Sequence, residues 1–204
     1  MAKRSFLVLV LLISGFGLAC ANRLPASRLD PRLQYQGFSA ARPPNDSWYM
    51  NRNEQTPTSL LFRREVLGET HSFFFSVELS ALEREPVSDD DFADLIRKKM
   101  VAVTDPERHE VLSYEATPTS RQGQFCVRYQ LRTLDRKSPV LPGRELSMNF
   151  EGSACRHPLW PHGALDSSYS ERGPANLLDP ALNSEGDQLL RGITIEIEPG
   201  VPAV

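Results

Sequence analysis

The sequence predicts an α+β domain: an antiparallel sheet of about five to seven strands with two helices packed on it, behind an N-terminal apolar segment and a proline-containing spacer. Three observations predict it. Residues 71–79 alternate, with Phe73, Phe75, Val77 and Leu79 on one side and Ser72, Ser76 and Glu78 on the other. Phe92, Leu95, Ile96, Met100 and Val103 recur at three-to-four spacing behind a capping serine, Ser88. Residues 123–134 and 144–155 align in one hairpin register that matches apolar side chains, opposite charges and two cysteines together.

The chain opens with Lys3 and Arg4, then an unbroken apolar run from Phe6 to Ile13 that thins into Ser14-Gly15-Phe16-Gly17-Leu18-Ala19-Cys20. A permanent bilayer span needs about 20 apolar residues, so this run fits the core of a removable export signal. Gly17-Leu18-Ala19-Cys20 resembles the bacterial lipobox, with Gly17 where that pattern prefers Leu and Leu18 where it prefers a small residue. The resemblance implies acylation of Cys20, a membrane anchor through N-terminal lipid and, since Ala21 is not aspartate, an outer-membrane address facing the periplasm. Ala19-Cys20-Ala21 is also a small-x-small site for ordinary cleavage, which would release a soluble periplasmic protein beginning at Asn22. Either cut leaves Cys126 and Cys155 as one pair for a disulfide in an oxidising compartment.

Loss of residues 1–19 leaves 185 residues with a net charge of −5, against −3 for all 204. That length supports one core without staples, and the acidic balance gives no electrostatic reason to bind nucleic acid. The expected organisation is a signal over 1–19, a lipid-anchored tether over 20–58, one domain over 59–198 and a flexible tail over 199–204. The tether reading rests on Pro25, Pro31, Pro43, Pro44 and Pro57, abundant polar residues and no sustained periodicity. Trp48-Tyr49-Met50 interrupts it and reads as the first packed segment.

Within the domain, Leu60 to Val66 and His71 to Leu79 form a hairpin turning at Gly68. Ser88 caps a helix whose first turn holds Asp89, Asp90 and Asp91 and whose end carries Arg97, Lys98 and Lys99, an order that complements the helix dipole. Strands follow at His109–Ala116, Gly123–Leu134 and Arg144–Cys155. A hairpin centred on Val140-Leu141 sets Leu131 opposite Phe150, Arg136 opposite Glu145 and Cys126 opposite Cys155. A bridge there closes about 30 residues and contributes roughly 3–4 kcal/mol in the chain-entropy model. It is expected on the polar side of the strands, away from the core. A turn-rich excursion around Trp160 precedes a strand at Leu165–Arg172. Asp179-Pro180 then starts a helix bearing Leu182, Leu189 and Leu190 and ending near Gly192. Ile193, Ile195 and Ile197 alternate in a last strand.

Chemistry-bearing patterns are sparse. Cys155, His157 and His162 have zinc-compatible side chains, but the disulfide register consumes the thiol, so no metal and no cofactor is expected. There is no Gly-x-Ser-x-Gly elbow and no free cysteine nucleophile; Ser170 acts as a nucleophile only if the fold brings His157 or His162 to it, and no catalytic residue is assigned. Arg128 and Arg132, with Arg156, His157 and Arg172 near the strand end, form a candidate anion- or partner-binding patch, against the alternative of an ordinary solvated sheet face.

Cys155-Arg156-His157-Pro158, then Tyr169-Ser170-Glu171-Arg172, Glu185-Gly186 and the closing apolar strand resemble uncharacterised lipoproteins of proteobacteria over residues 59–198. The element order is similar to small α+β envelope domains of the PsbP/DcrB kind. The resemblance implies a cell-envelope protein and no residue-level activity. The expected function is an exported, lipid-anchored envelope protein with a binding or structural role. The alternatives are a soluble periplasmic hydrolase, which needs Ser170 near His157, and a subunit binding an envelope protein partner through an exposed apolar patch at Trp48 or Trp160.

Overall fold

The computed structural model describes residues 23–66, 70–102, 104–138, 142–175 and 178–196. Cys20, Gly68, Val103, Val140-Leu141 and Ile197 lie outside them, so the anchor, the two turn centres and the ends of two elements are not addressed.

Eleven strands and two helices account for most of the described chain. Four short strands come first: β1 (Arg23–Pro25), β2 (Arg32–Tyr35), β3 (Phe38–Ala41) and β4 (Trp48–Asn51). Then come β5 (Ser59–Arg64), β6 (Ser72–Ala81), helix α1 (Asp89–Ala102), β7 (His109–Arg121), β8 (Gln124–Asp135), β9 (Leu146–His157) and β10 (Trp160–Gly173). Helix α2 (Pro180–Arg191) and β11 (Ile193–Ile195) complete it. An eight-stranded antiparallel sheet runs β1-β4-β5-β6-β10-β9-β8-β7, and a three-stranded sheet runs β11-β3-β2.

This corrects the expected fold class. The molecule is sheet-rich, with eight strands in one sheet and three in another in place of five to seven, although two helices are present. The four additional strands all lie in the stretch read as a tether. Each has three or four residues, too few to show a period, and their prolines sit in the connections or, as with Pro25, at a strand end. Phe38, Ala40 and Trp48 are fully buried there. Residues 23–57 therefore belong to the domain.

The two faces of the large sheet are covered by different elements. Phe73, Phe75, Val77 and Leu79 of β6 share a face with Leu165 and Tyr169 of β10 through direct cross-strand pairing. Onto that face pack α2 and the three-stranded sheet, burying Leu182, Leu189, Leu190, Ile193, Phe38 and Trp48. Helix α1 covers the other face, where Phe92, Leu95, Ile96 and Met100 meet Val127, Tyr129 and Leu131. Ser88 accepts from Asp91 N at 3.1 Å, and Asp179 accepts from Ala181 N at 2.9 Å with Pro180 in the first turn, so both helix starts carry their expected caps. Helix α2 lies close against the sheet because Gly186 faces the Tyr169 ring; a β-carbon there would come within 2.4 Å of it.

The β8–β9 register is the predicted one: Cys126 opposes Cys155 and Leu131 opposes Phe150, and Arg136 meets Glu145 at 3.6 Å. Cys126 and Cys155 form a disulfide across it. Its placement differs from expectation. Both cysteines are at most 1 % exposed and belong to the main core, because α2 and the small sheet cover a face that reads as polar along β8. The excursion expected around Trp160 is also absent: β9 and β10 are long hairpin partners separated by Pro158 and Leu159, with a register shift between Trp160 and Ala164.

Candidate functional site

A cleft of about 1000 Å³ lies where the β5–β6 hairpin meets the start of α2, lined by Tyr49, Arg63, Arg64, His71, Phe74 and Asp179 among others. Its walls are set by strand register. Arg63 and Arg64 alternate on β5, so they project to opposite faces of the sheet. Arg64 forks onto Glu185 of α2 at 2.7 and 2.8 Å, and Trp48 Nε1 donates to the same carboxylate at 2.9 Å. Arg63 forks onto Glu54 at 2.9 and 2.6 Å and lies over the Phe74 ring, 4.8 Å from its centroid. His71 Nε2 sits 2.6 Å from the buried Glu171, which also accepts from Asp179 N at 2.8 Å.

These pairs set the electrostatics. Arg64 draws the Glu185 carboxyl below the usual range, overcoming the opposing effect of burial, with Trp48 assisting. The hydrogen bonds from Arg63 to Glu54 and from Arg64 to Glu185 raise both guanidinium pKa values. Arg63, Arg64 and His71 are each already engaged by a carboxylate, between aromatic and aliphatic walls. Sequence reasoning missed His71 and Glu171, which are 100 residues apart; each looked ordinary on its own strand.

A second polar group lies beneath α1. Tyr129 Oη donates to Asp166 at 2.7 Å. Burial pushes the Asp166 carboxyl up and the Tyr129 phenol well above its ordinary range. Tyr114, stacked 6.4 Å from Tyr129, is raised to about 12, chiefly by burial. The helix closes over this group, which ties β8 to β10.

The predicted arginine patch does not assemble. Arg128 and Arg132 alternate with the core side of β8, and Arg128 is 52 % exposed and ion-paired with Glu151 and Asp187. Arg156 lies on the opposite face, where it contacts Ser88 O and Asp89 at the start of α1 and sits over the Phe92 and Phe125 rings. His157 is buried, with Nε2 3.0 Å from Gly37 O. Arg172 joins Arg108 around the fully buried Asp135. The reason is strand alternation: the four arginines and His157 divide between the two faces of the sheet and four separate neighbourhoods.

The hydrolase geometry is not formed either. Ser170 pairs with Phe150 while His157 pairs with Trp160 near the other end of the same hairpin, on the opposite face. Cys155 is committed to the disulfide, and among the described residues no three His, Cys, Asp or Glu side chains converge as metal ligands. Trp48 is fully buried, whereas Trp160 and its neighbour Leu159 are 39 % and 49 % exposed.

The Asp135 cluster yields a pH prediction. Arg108, with Arg172 beside it, holds this carboxyl at about 2 against the opposing effect of burial. Because the folded value lies below the unfolded one, its stabilisation is complete above about pH 5 and is lost as pH falls towards 2, amounting to about 2 kcal/mol. Urea unfolding of the wild type should show that loss between pH 5 and 2, and Asp135→Asn should lack it. Equal acid limbs for the two proteins would contradict the assignment.

No family model matches the chain, and no curated protein matches it. Among solved structures, the cyanobacterial PsbP protein CyanoP from Synechocystis sp. PCC 6803 is similar at 15% identity, over 81% of this chain and 91% of that one, with a TM-score of 0.45. A mutant of the protein Mog1 is similar at 9% identity, over 80% of this chain and 94% of that one, with a TM-score of 0.43. Likeness at this level carries no argument about what this chain does.

Proposed function

We propose that this is an exported cell-envelope protein, held at the membrane by lipid on Cys20, whose domain has a binding or structural role. The observation that supports it best is the Cys126–Cys155 disulfide. Cross-strand thiols oxidise and persist in envelope and secreted compartments and are rare in a reducing cytosol. The N-terminal signal pattern and Ala19-Cys20 supply the route and the acylation point. A binding role fits a domain whose cleft is walled by closed ion pairs and aromatic rings, with Ser170 and His157 on opposite faces of the sheet.

Metabolic labelling with palmitate tests the anchor. The wild type should incorporate label and fractionate with membranes, and Cys20→Ala should do neither. An unlabelled wild type recovered in the soluble periplasmic fraction would replace lipid anchoring with release at Asn22.

A further inference from the structure

The folding of residues 23–57 places the domain directly after the acylation point. Strand β1 begins at Arg23, three residues after Cys20, and three residues of chain span at most about 11 Å. An anchored molecule therefore has no spacer, and the surface around β1 lies against the lipid headgroups.

That surface has its own charge. Residues 23–64 hold seven arginines and three acids, a net +4, whereas residues 65–204 hold 14 basic and 23 acidic side chains, a net −9. Pairing sharpens the contrast. Among the described residues none of Arg28, Arg32, Arg42 and Arg52 is in an ion pair. Arg42 donates only to the carbonyls of Ser27 and Leu29, at 2.9 and 2.8 Å, and Arg32 only to the hydroxyls of Ser39 and Thr194. Neutral acceptors leave both guanidinium charges without a carboxylate in direct contact, Asp46 acting on Arg42 only at longer range. Arg52 follows Asn51, the residue opposite Arg23, and Arg32 opposes Ala41, the neighbour of Arg42. Of the three acids, Glu54 is forked by Arg63; Asp46, hydrogen-bonded to Ser27, keeps its charge near Arg28 and Arg42, so Asp46 and Asp30 stand against four arginines.

We infer that this arginine-rich surface beside β1 docks on an anionic bilayer, setting the orientation of the domain once Cys20 is inserted. The inference rests on the lipid-anchored reading for its geometry, but the lipid contact itself is a property of the folded surface. Phosphate headgroups suit guanidinium forks, and an electrostatic contact beside a lipid anchor fixes which face of the domain meets the bilayer. The acidic remainder of the chain is repelled by the same surface, so one orientation is selected.

Co-sedimentation with vesicles separates the two claims, using the mature chain with Cys20→Ser so that no acyl group contributes. Binding to vesicles with about 30 % phosphatidylglycerol in phosphatidylcholine is expected to exceed binding to phosphatidylcholine alone, and to weaken on raising salt from about 0.05 to about 0.5 M. Each arginine near the surface contributes about fivefold, so Arg28→Gln with Arg52→Gln should reduce binding about 25-fold. Arg97→Gln, on α1, should leave it unchanged, and matching unfolding curves for all variants exclude misfolding. Equal binding to both vesicle types, or no effect of the double variant, would overturn the inference even if palmitate labels Cys20. Association with an acidic protein but not with anionic vesicles would overturn it equally.

Discussion

Replacing Trp48 by alanine is expected to lower the stability of the domain by about 4 kcal/mol, the usual cost of removing a buried tryptophan. Trp48 is completely buried, meets Phe73 edge-on with centroids 5.5 Å apart and donates to Glu185. Its loss opens a void between the large sheet and α2 and removes one donor from a carboxylate that also holds Arg64. For a domain of this size the melting temperature should fall by roughly 8–16 °C. Trp48→Phe keeps most of the packing and loses the hydrogen bond, so about 1–2 kcal/mol is expected. A tether residue would show no change in either variant. An unaltered melting curve for Trp48→Ala would return residues 23–57 to the status of a spacer and remove the basis for the membrane-facing surface.

The second large effect concerns the disulfide. Cys126→Ala with Cys155→Ala removes a cross-link between residues 29 apart, which should cost roughly 3–4 kcal/mol by chain entropy. Both sulfurs are buried in the main core, so truncation adds a packing loss to the entropic one. Thermal unfolding of the double variant should begin roughly 6–12 °C below the wild type, and a reducing agent should shift the wild type in the same direction without affecting the variant. A difference below about 2 °C would mean that the hairpin is held by its ladder alone.

What was legible in the sequence follows from the length over which a pattern repeats. Strand β6 alternates over ten residues, and its buried side is as read. Helix α1 has a cap, an acidic first turn and a buried stripe of Phe92, Leu95, Ile96 and Met100. The β8–β9 register could be aligned because three independent pairings agreed on it. Strands β1 to β4 offered only three or four residues each, and what makes them strands is the tertiary pairing of β1 with β4, β4 with β5, and β2 and β11 with β3. The last of these also shows why β11, correctly read as a strand, was not placed: its partner lay in a segment taken to be unfolded.

The candidate site was less legible than the fold. His71 and Glu171 become neighbours only because β6 and β10 pair, and no local motif marks either. Arg172 and Arg156 looked like members of a patch until strand alternation turned them away from Arg128. Arginine usage itself was informative in a different place, around β1, where the surface becomes visible only once the segment is known to be folded.

Intact-mass and peptide mass spectrometry of the native protein bears most directly on an envelope protein folded from its anchor onward. The expected spectrum shows a chain starting at an acylated Cys20, with Cys126 and Cys155 recovered as one cross-linked peptide pair. A chain retaining Met1 with three free thiols would contradict export, anchoring and the oxidised hairpin together.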